Sequence, residues 1–148
     1  MKILILDEEF PWPLNTGKRI RSYHLARALA ERHEVHYLAY GRAGSDGFAA
    51  LAAARLNPAA VPEPDRRKSG PLFYLRLLAN LASPWPYIVT SHRSAAFQTE
   101  VDRRVRTGGY DLVLCEWSPY GIFVRDFRTP KRVLVAHNIE SHIWERYE

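Results

Sequence analysis

Polar side chains follow three apolar segments of the chain that have the length and composition of buried strands. Asp7, Glu116 and His137 each come directly after such a segment. In a parallel α/β sheet, ligands bind outside the carboxyl ends of the strands. We therefore expect these three side chains to lie along one edge of a sheet, where they could contact a common ligand.

The junction between the first loop and the first predicted helix is Asn15-Thr16-Gly17-Lys18-Arg19-Ile20-Arg21. A helix that begins after a glycine presents free N–H groups and the positive end of its dipole, and Lys18 and Arg21 add cationic charge. This predicts a site for a phosphate or another acidic ligand. The alternative is an ordinary first turn with solvated basic residues, and the spacing alone does not choose between them. Neither the dinucleotide-binding pattern G-x-G-x-x-G nor a P-loop is present.

His137 could act as a base or as a hydrogen-bond donor to a sugar hydroxyl. The alternative is a structural histidine that bonds a neighbouring carbonyl. Asn138 and Glu140 follow it, and Glu116 is expected one strand away. These polar neighbours favour a functional role enough that neither interpretation is preferred. Metal binding is not expected, because the six histidines lack zinc-site spacing and no cysteine pair exists. The only cysteine, Cys115, is expected to be an inert thiol in the core.

Strand and helix patterns alternate along the chain, which predicts an α/β fold: a Rossmann-like parallel sheet with helices on both faces, in one domain. The first helix is expected to bury Leu25 and Leu29, with Arg21 on the same flank. Ser94 is the expected N-cap of a later helix, and Asn138 that of the last one. Strands are expected at 3–6, 35–40, 111–115 and 133–136, with either a brief strand or an extended link at 59–62. Helices are expected at 18–32, 48–56, 71–82, from 94 to about 107, 120–127 and 139–147.

Length and composition fit one folded domain. The chain has 148 residues, of which 47% are hydrophobic and 25% charged, so disorder is not expected. A single cysteine fits a reducing compartment, and no run of 18 apolar residues occurs, so we expect a cytoplasmic protein. The net charge of +5 favours anionic partners such as phosphates or lipid head groups. No nucleic-acid-binding motif is present, so nucleic acid is not an expected partner.

The basic run Arg66-Arg67-Lys68 precedes the apolar segment 71–82. The combination could form a peripheral element on a membrane, at the inner face of the bilayer. Because apolar residues surround this predicted helix almost completely, a buried helix is the commoner explanation. A lid over an acceptor site is a third interpretation.

Several separate motifs occur in order along the chain: Met1-Lys2-Ile3-Leu4 to Pro11-Trp12-Pro13, Asn15-Thr16-Gly17, Ile20-Arg21-Ser22-Tyr23-His24-Leu25, His33-Glu34-Val35, Tyr110-Asp111-Leu112-Val113 to Glu116, His137-Asn138-Ile139-Glu140-Ser141 and Trp144-Glu145-Arg146. In order and spacing they resemble the N-terminal half of two-domain glycosyltransferases with the GT-B fold, of the group 1 (family 4) type. The resemblance covers nearly the whole chain, and its later motifs are similar to sugar transferases of polysaccharide assembly.

This resemblance implies transfer of a sugar from a nucleotide-sugar donor to a hydroxyl of a glycan or lipid-linked acceptor. It implies that Gly17 and Arg21 lie beside the donor diphosphate. Lys18 has no counterpart in the family pattern, and its side chain could either crowd the loop or meet the phosphate itself. It also implies that Glu116, His137, Asn138 and Glu140 line the acceptor side of the cleft, with His137 as the catalytic candidate. No cofactor or metal is implied, because positive groups stabilise the leaving phosphate in such enzymes.

Two departures from the family pattern matter. The family loop commonly has two adjacent glycines, and here the second position is Lys18. The C-terminal donor-binding domain is also absent from residues 1–148, so we expect this acceptor-side domain to be inactive in isolation. The competing hypothesis is a non-catalytic Rossmann-like binding module, or a subunit that works with a separate partner chain. A phospho-acceptor receiver domain is disfavoured, because His137 stands where a lysine would be needed.

Overall fold

A computed structural model describes residues 1–64 and 69–136 of the chain. Within them lies one five-stranded sheet in which every pairing is parallel. The predicted α/β, Rossmann-like fold is thereby confirmed. The strands are β1 (Lys2–Asp7), β2 (Glu34–Tyr40), β3 (Pro58–Val61), β4 (Leu112–Cys115) and β5 (Lys131–Leu134).

The strand order is β3-β2-β1-β4-β5. The chain therefore builds outward from β1 in one direction and then returns to add β4 and β5 on the other side. This reversal makes the gap between the carboxyl ends of β1 and β4 the topological switch point, where open α/β sheets bind ligands. Leu6 is paired with Cys115, and the amide of Glu116 donates to the carbonyl of Leu6 at 2.9 Å, so both strands end at the same level.

Helices follow the strands as the alternating pattern predicts. Thr16, Ser45 and Ser94 cap three of them, each accepting a hydrogen bond from the amide three residues later. These bonds satisfy amides that have no partner inside the helix. The helices are α1 (Gly17–Ala30), α2 (Asp46–Ala53), α3 (Pro71–Asn80), α4 (Tyr87–His92) and α5 (Ala95–Thr107), with a 3₁₀ helix at Ser118–Val124.

Each face of the sheet carries its own apolar core. Alternate residues of β1 point to opposite faces: Ile3 and Ile5 pack with residues of α1 and α2, whereas Leu4 and Leu6 pack with α5 and the 3₁₀ helix. Both faces of the central strand are thus dry, which explains why its sequence is continuously apolar rather than alternating.

The buried side of α1 differs from the predicted one. Ser22 and Ala26 lie at its centre, whereas Leu25 and Leu29 are only partly buried and Arg21 is exposed. Small residues at the centre allow the helix to approach the sheet closely. The prediction that Arg21 shares the inward flank is therefore wrong.

Two further expectations of burial are wrong. None of the side chains of α3 is buried, although its composition predicted a core helix. All four residues of β5 are exposed, although this strand was expected to be buried. The short helix α4 was not predicted, and the helix expected at 120–127 is a 3₁₀ helix that begins earlier. In the described ranges, 1–64 and 69–136, none of the helices has both the length and the apolar content needed to cross a bilayer.

Candidate site at the β1–β4 switch point

The carboxyl ends of β1 and β4 place two buried acids side by side in the sheet. Asp7 is the last residue of β1 and is fully buried, and Glu116 follows β4 with 1% of its surface exposed. Charged side chains are rarely buried this completely unless they have specific partners. The partners of these two acids connect the strand ends to α1.

Asp7 lies at the centre of a buried polar network. Its carboxylate receives hydrogen bonds from the hydroxyl of Tyr37 (2.5 Å) and from the amide of Glu8 (2.7 Å), and the ammonium of Lys18 lies 3.0 Å away. Burial raises the pKa of Asp7, and the neighbouring Lys18 and Tyr37 offset that rise only in part. Burial, with Asp7 next to it, also raises the pKa of Tyr37 well above its ordinary value. The phenol therefore remains a donor to Asp7.

Lys18 is held between two acids. Its Nζ lies 2.5 Å from Oε1 of Glu8 and 3.0 Å from Oδ1 of Asp7. Burial lowers the pKa of Lys18, but the attraction of Asp7 and Glu8 exceeds that effect and the pKa is raised overall. Lys18 thus remains a cation directed at the loop after β1. Its predicted contact with a donor phosphate stays a prediction, and a phosphate would have to share this cation with Glu8 and Asp7.

The first turn of α1 is open above Gly17. Thr16 caps the amide of Arg19, and among the described residues nothing accepts from the amides of Gly17 and Lys18. A Cβ built on Gly17 would have no atom within 4 Å. Gly17 is therefore not required by packing, and the space above it is available to a ligand that approaches the N-terminus of the helix.

Replacing Gly17 with alanine is expected to preserve or slightly increase stability, by less than about 1 kcal/mol, because alanine restricts the unfolded chain. Chemical denaturation measures this change. A loss of more than about 1 kcal/mol would mean that the glycine is needed for the fold, contrary to the open space around it. A stable variant would allow any loss of ligand binding to be attributed to the added methyl group.

Glu116 connects the end of β4 to α1. The hydroxyl of Ser22 donates a buried hydrogen bond of 2.8 Å to Oε2 of Glu116, across 94 positions of sequence. The carboxylate therefore lies beneath α1 rather than on an open wall. This contact was not predicted, because the sequence does not show which helix packs over which strand. The expected role of Glu116 on the acceptor side stays a prediction.

The structure describes the other predicted site residues only in part. Arg21, in α1, is exposed. His137, Asn138 and Glu140, with the predicted helix after them, lie outside the described residues. Their predicted roles therefore remain predictions from the sequence.

A groove of about 880 Å³ lies between Glu8 in the loop after β1, the segment after β3 and the helices α3 and α4. Its volume falls within the range of small-molecule sites. Polar groups are held in place along it: Thr90 donates to the side-chain carbonyl of Asn80 at 2.6 Å, and Nδ1 of His92 lies 2.6 Å from the carbonyl of Ile88. The groove is lined by Glu8, Glu63, Pro64, Phe73, Arg76, Ala79, Asn80, Ser83, Tyr87, Thr90, Ser91, His92 and Arg93.

A second groove, of about 690 Å³, lies outside α5 and contains Arg93, Arg106, Arg125 and Arg128. Arg125 is paired with Asp126, at 2.8 Å. Its arginines would attract an anionic ligand. Because this surface lies away from the switch point, it is a competing location for such a ligand. Within 1–64 and 69–136, no group of three His, Cys, Asp or Glu side chains is placed to hold a metal ion.

The fold and the site together define a Rossmann-like α/β domain with an open groove at the carboxyl edge of its parallel sheet. Comparisons with protein-family models, with curated proteins and with solved structures find no match to the chain. The resemblance to glycosyltransferases therefore rests on the sequence motifs.

Proposed function

We propose that this chain is the acceptor-side half of a glycosyltransferase that moves a sugar from a nucleotide-sugar donor to an acceptor hydroxyl in glycan or polysaccharide assembly. One observation carries the proposal. The carboxyl edge of the sheet combines an uncovered helix N-terminus at Gly17 with a groove, lined by Glu8 of the loop after β1, that is large enough for one or two sugar units. A donor phosphate and an acceptor sugar could thus meet at a single edge of the sheet.

Different parts of the carboxyl edge would bind the donor and the acceptor. The N-terminus of α1 would approach the donor diphosphate, where its dipole and Arg21 favour developing negative charge. The groove beside α3 and α4 would hold the acceptor, with Asn80 and Thr90 as hydrogen-bonding groups. Glu116 and Ser22 would fix the position of α1 over β4. His137 would take the proton from the acceptor hydroxyl, and the nucleotide pocket would belong to a second domain.

Binding of the acceptor sugar can be measured directly on residues 1–148. Saturation-transfer NMR with glucose, galactose, mannose and N-acetylglucosamine is expected to show contact with at least one sugar. Asn80→Ala should weaken that contact several-fold, because it removes a hydrogen-bonding group from the groove together with the bond that holds Thr90 of α4 in place. Arg103→Ala, on the exposed side of α5, is the matched control and should have no effect. Absence of contact with all four sugars, or equal binding by Asn80→Ala, would contradict the acceptor assignment.

Transfer itself is expected to need the second domain. Incubation of residues 1–148 with UDP-glucose, UDP-N-acetylglucosamine or GDP-mannose should release no nucleoside diphosphate above the enzyme-free rate. Sustained turnover would overturn the assignment of this chain as one half of the enzyme. The competing proposal, a non-catalytic module that serves a separate partner chain, predicts sugar contact without transfer even when a donor domain is supplied.

A further inference from the structure

The outward half of α3 exposes a continuous apolar surface. Leu72, Tyr74, Leu75, Leu78 and Leu81 at its end are exposed by 58%, 63%, 61%, 64% and 84%. At 3.6 residues per turn these positions occupy one side of the helix, whereas Phe73, Leu77 and Asn80, which are partly buried, occupy the other. Contiguous exposed apolar surfaces of this kind mark contacts with a protein or a membrane.

The net charge of the chain is concentrated in the stretch of sequence that contains this helix. Residues 66–99 contain five basic residues, Arg66, Arg67, Lys68, Arg76 and Arg93, and no aspartate or glutamate. The chain has 21 basic and 16 acidic residues in all, so the remaining positions carry 16 of each and are neutral overall. The whole net charge of +5 thus belongs to the segment that includes α3.

Charge decides between the occupants that could cover the surface. A second copy of the chain would bring two segments of charge +5 together, and their repulsion would oppose association. An anionic bilayer attracts the same cations while it accepts leucine side chains at the boundary between head groups and acyl chains. Tyrosine is favoured at this depth, and Tyr74 lies on the surface. A lipid surface therefore fits both the apolar and the electrostatic observation.

We propose that α3 is a docking element that lies flat on an anionic lipid bilayer, with Leu72, Leu75, Leu78 and Leu81 inserted. The inference does not depend on sugar transfer, because it is carried by the outward side of α3, whereas the groove lies on its inward side. It would also place the groove close to the membrane, within reach of an acceptor carried by a lipid.

Vesicle sedimentation tests the proposal with two lipid compositions, phosphatidylcholine alone and phosphatidylcholine mixed with phosphatidylglycerol. The wild-type chain is expected to bind the anionic vesicles, to bind the neutral ones at least several-fold more weakly, and to be released as salt is raised. Leu75→Glu/Leu78→Glu should weaken binding by about tenfold or more, because it removes apolar area and adds repulsion. Ala49→Glu/Ala52→Glu adds the same charge three residues apart on exposed positions of α2, and should bind almost as wild type.

Leu75→Ser/Leu78→Ser removes the apolar side chains without adding charge, and should also weaken binding. Circular dichroism and urea unfolding establish that each variant folds, which is expected because the substituted positions are exposed. Failure of the wild type to bind anionic vesicles would overturn the proposal, as would equal binding by the leucine variants. A concentration-dependent dimer that these variants abolish, in a chain that ignores vesicles, would assign the surface to self-association instead.

Discussion

Replacing Lys18 with methionine is expected to lower the free energy of unfolding by roughly 2–3 kcal/mol, which is among the largest effects that a single substitution near the switch point can have. The substitution keeps the aliphatic length of the side chain but removes the cation that lies 3.0 Å from the fully buried Asp7. Removing one partner leaves the other charge buried and uncompensated. The effect is smaller than for a completely buried pair, because the Lys18 side chain is 23% exposed.

Arg19→Met is the matched control for Lys18→Met. Arg19 lies next to Lys18 in the same turn and its side chain is equally exposed, at 23%, but its partner Glu9 is 36% exposed, whereas Asp7 is fully buried. Its loss should cost less than about 1 kcal/mol. Equal costs for the two variants, measured by urea unfolding at neutral pH, would contradict the buried role assigned to Lys18.

The pH dependence of the Lys18→Met effect has a definite sign. Burial raises the pKa of Asp7, so the folded state favours its protonated form, and Lys18 opposes that rise. Without Lys18 the pKa of Asp7 rises further, and stability is lost as the pH increases through the folded value. The cost of the substitution should therefore shrink as the pH falls and level off below 3.8, the ordinary value for aspartate, because Asp7 is then protonated in both states. Asp7→Asn should likewise reduce the cost of Lys18→Met.

Alkaline pH is expected to destabilise the protein strongly through Cys115. Burial raises the pKa of this thiol from 9.0 to about 12, with a small opposing effect of Arg132. The unfolded chain releases the proton near pH 9, whereas the folded chain keeps it until about pH 12. Folding therefore binds a proton in this window, and stability falls as the pH rises through it, by roughly 4 kcal/mol for a shift of this size.

Cys115→Ala should remove this part of the pH dependence, so its stability should fall less steeply than that of the wild type above pH 9. Tyr37→Phe gives a useful comparison. Burial also raises the pKa of Tyr37, so its contribution has the same sign but begins near pH 10. Urea unfolding across this range measures the slopes. Parallel curves for wild type and Cys115→Ala would show that the thiol is not held in a dry core.

The sequence predicts the elements of the sheet well, because their signals are local. Apolar runs bounded by loops mark the strands, and Ser94 is the N-cap that the sequence predicts. The helix α4 was missed because Ile88, Val89 and Thr90 have low helix propensity. Tertiary contacts hold it instead, among them the hydrogen bond from Thr90 to Asn80.

The site could be predicted only in outline. The rule that ligands bind at strand ends correctly identified Asp7 and Glu116 as polar groups at one edge. The contacts that they make depend on long-range packing: Ser22 and Glu116 are separated by 94 positions, and Asp7 meets Tyr37 from the adjacent strand. The sequence also did not predict that α3 is exposed. An apolar helix indicates a covered surface, but the sequence does not show what covers it.

Chemical-shift mapping with inorganic pyrophosphate can locate the diphosphate site that we propose at the N-terminus of α1. In a ¹⁵N–¹H titration, the largest shifts are expected at the amides of Gly17 and Lys18, with smaller ones at Ser22 and Glu116. Gly17→Ala should weaken the binding while the protein remains folded. Shifts concentrated around Arg106 and Arg128, outside α5, would instead place the anion site in the second groove and rule out a diphosphate site at α1.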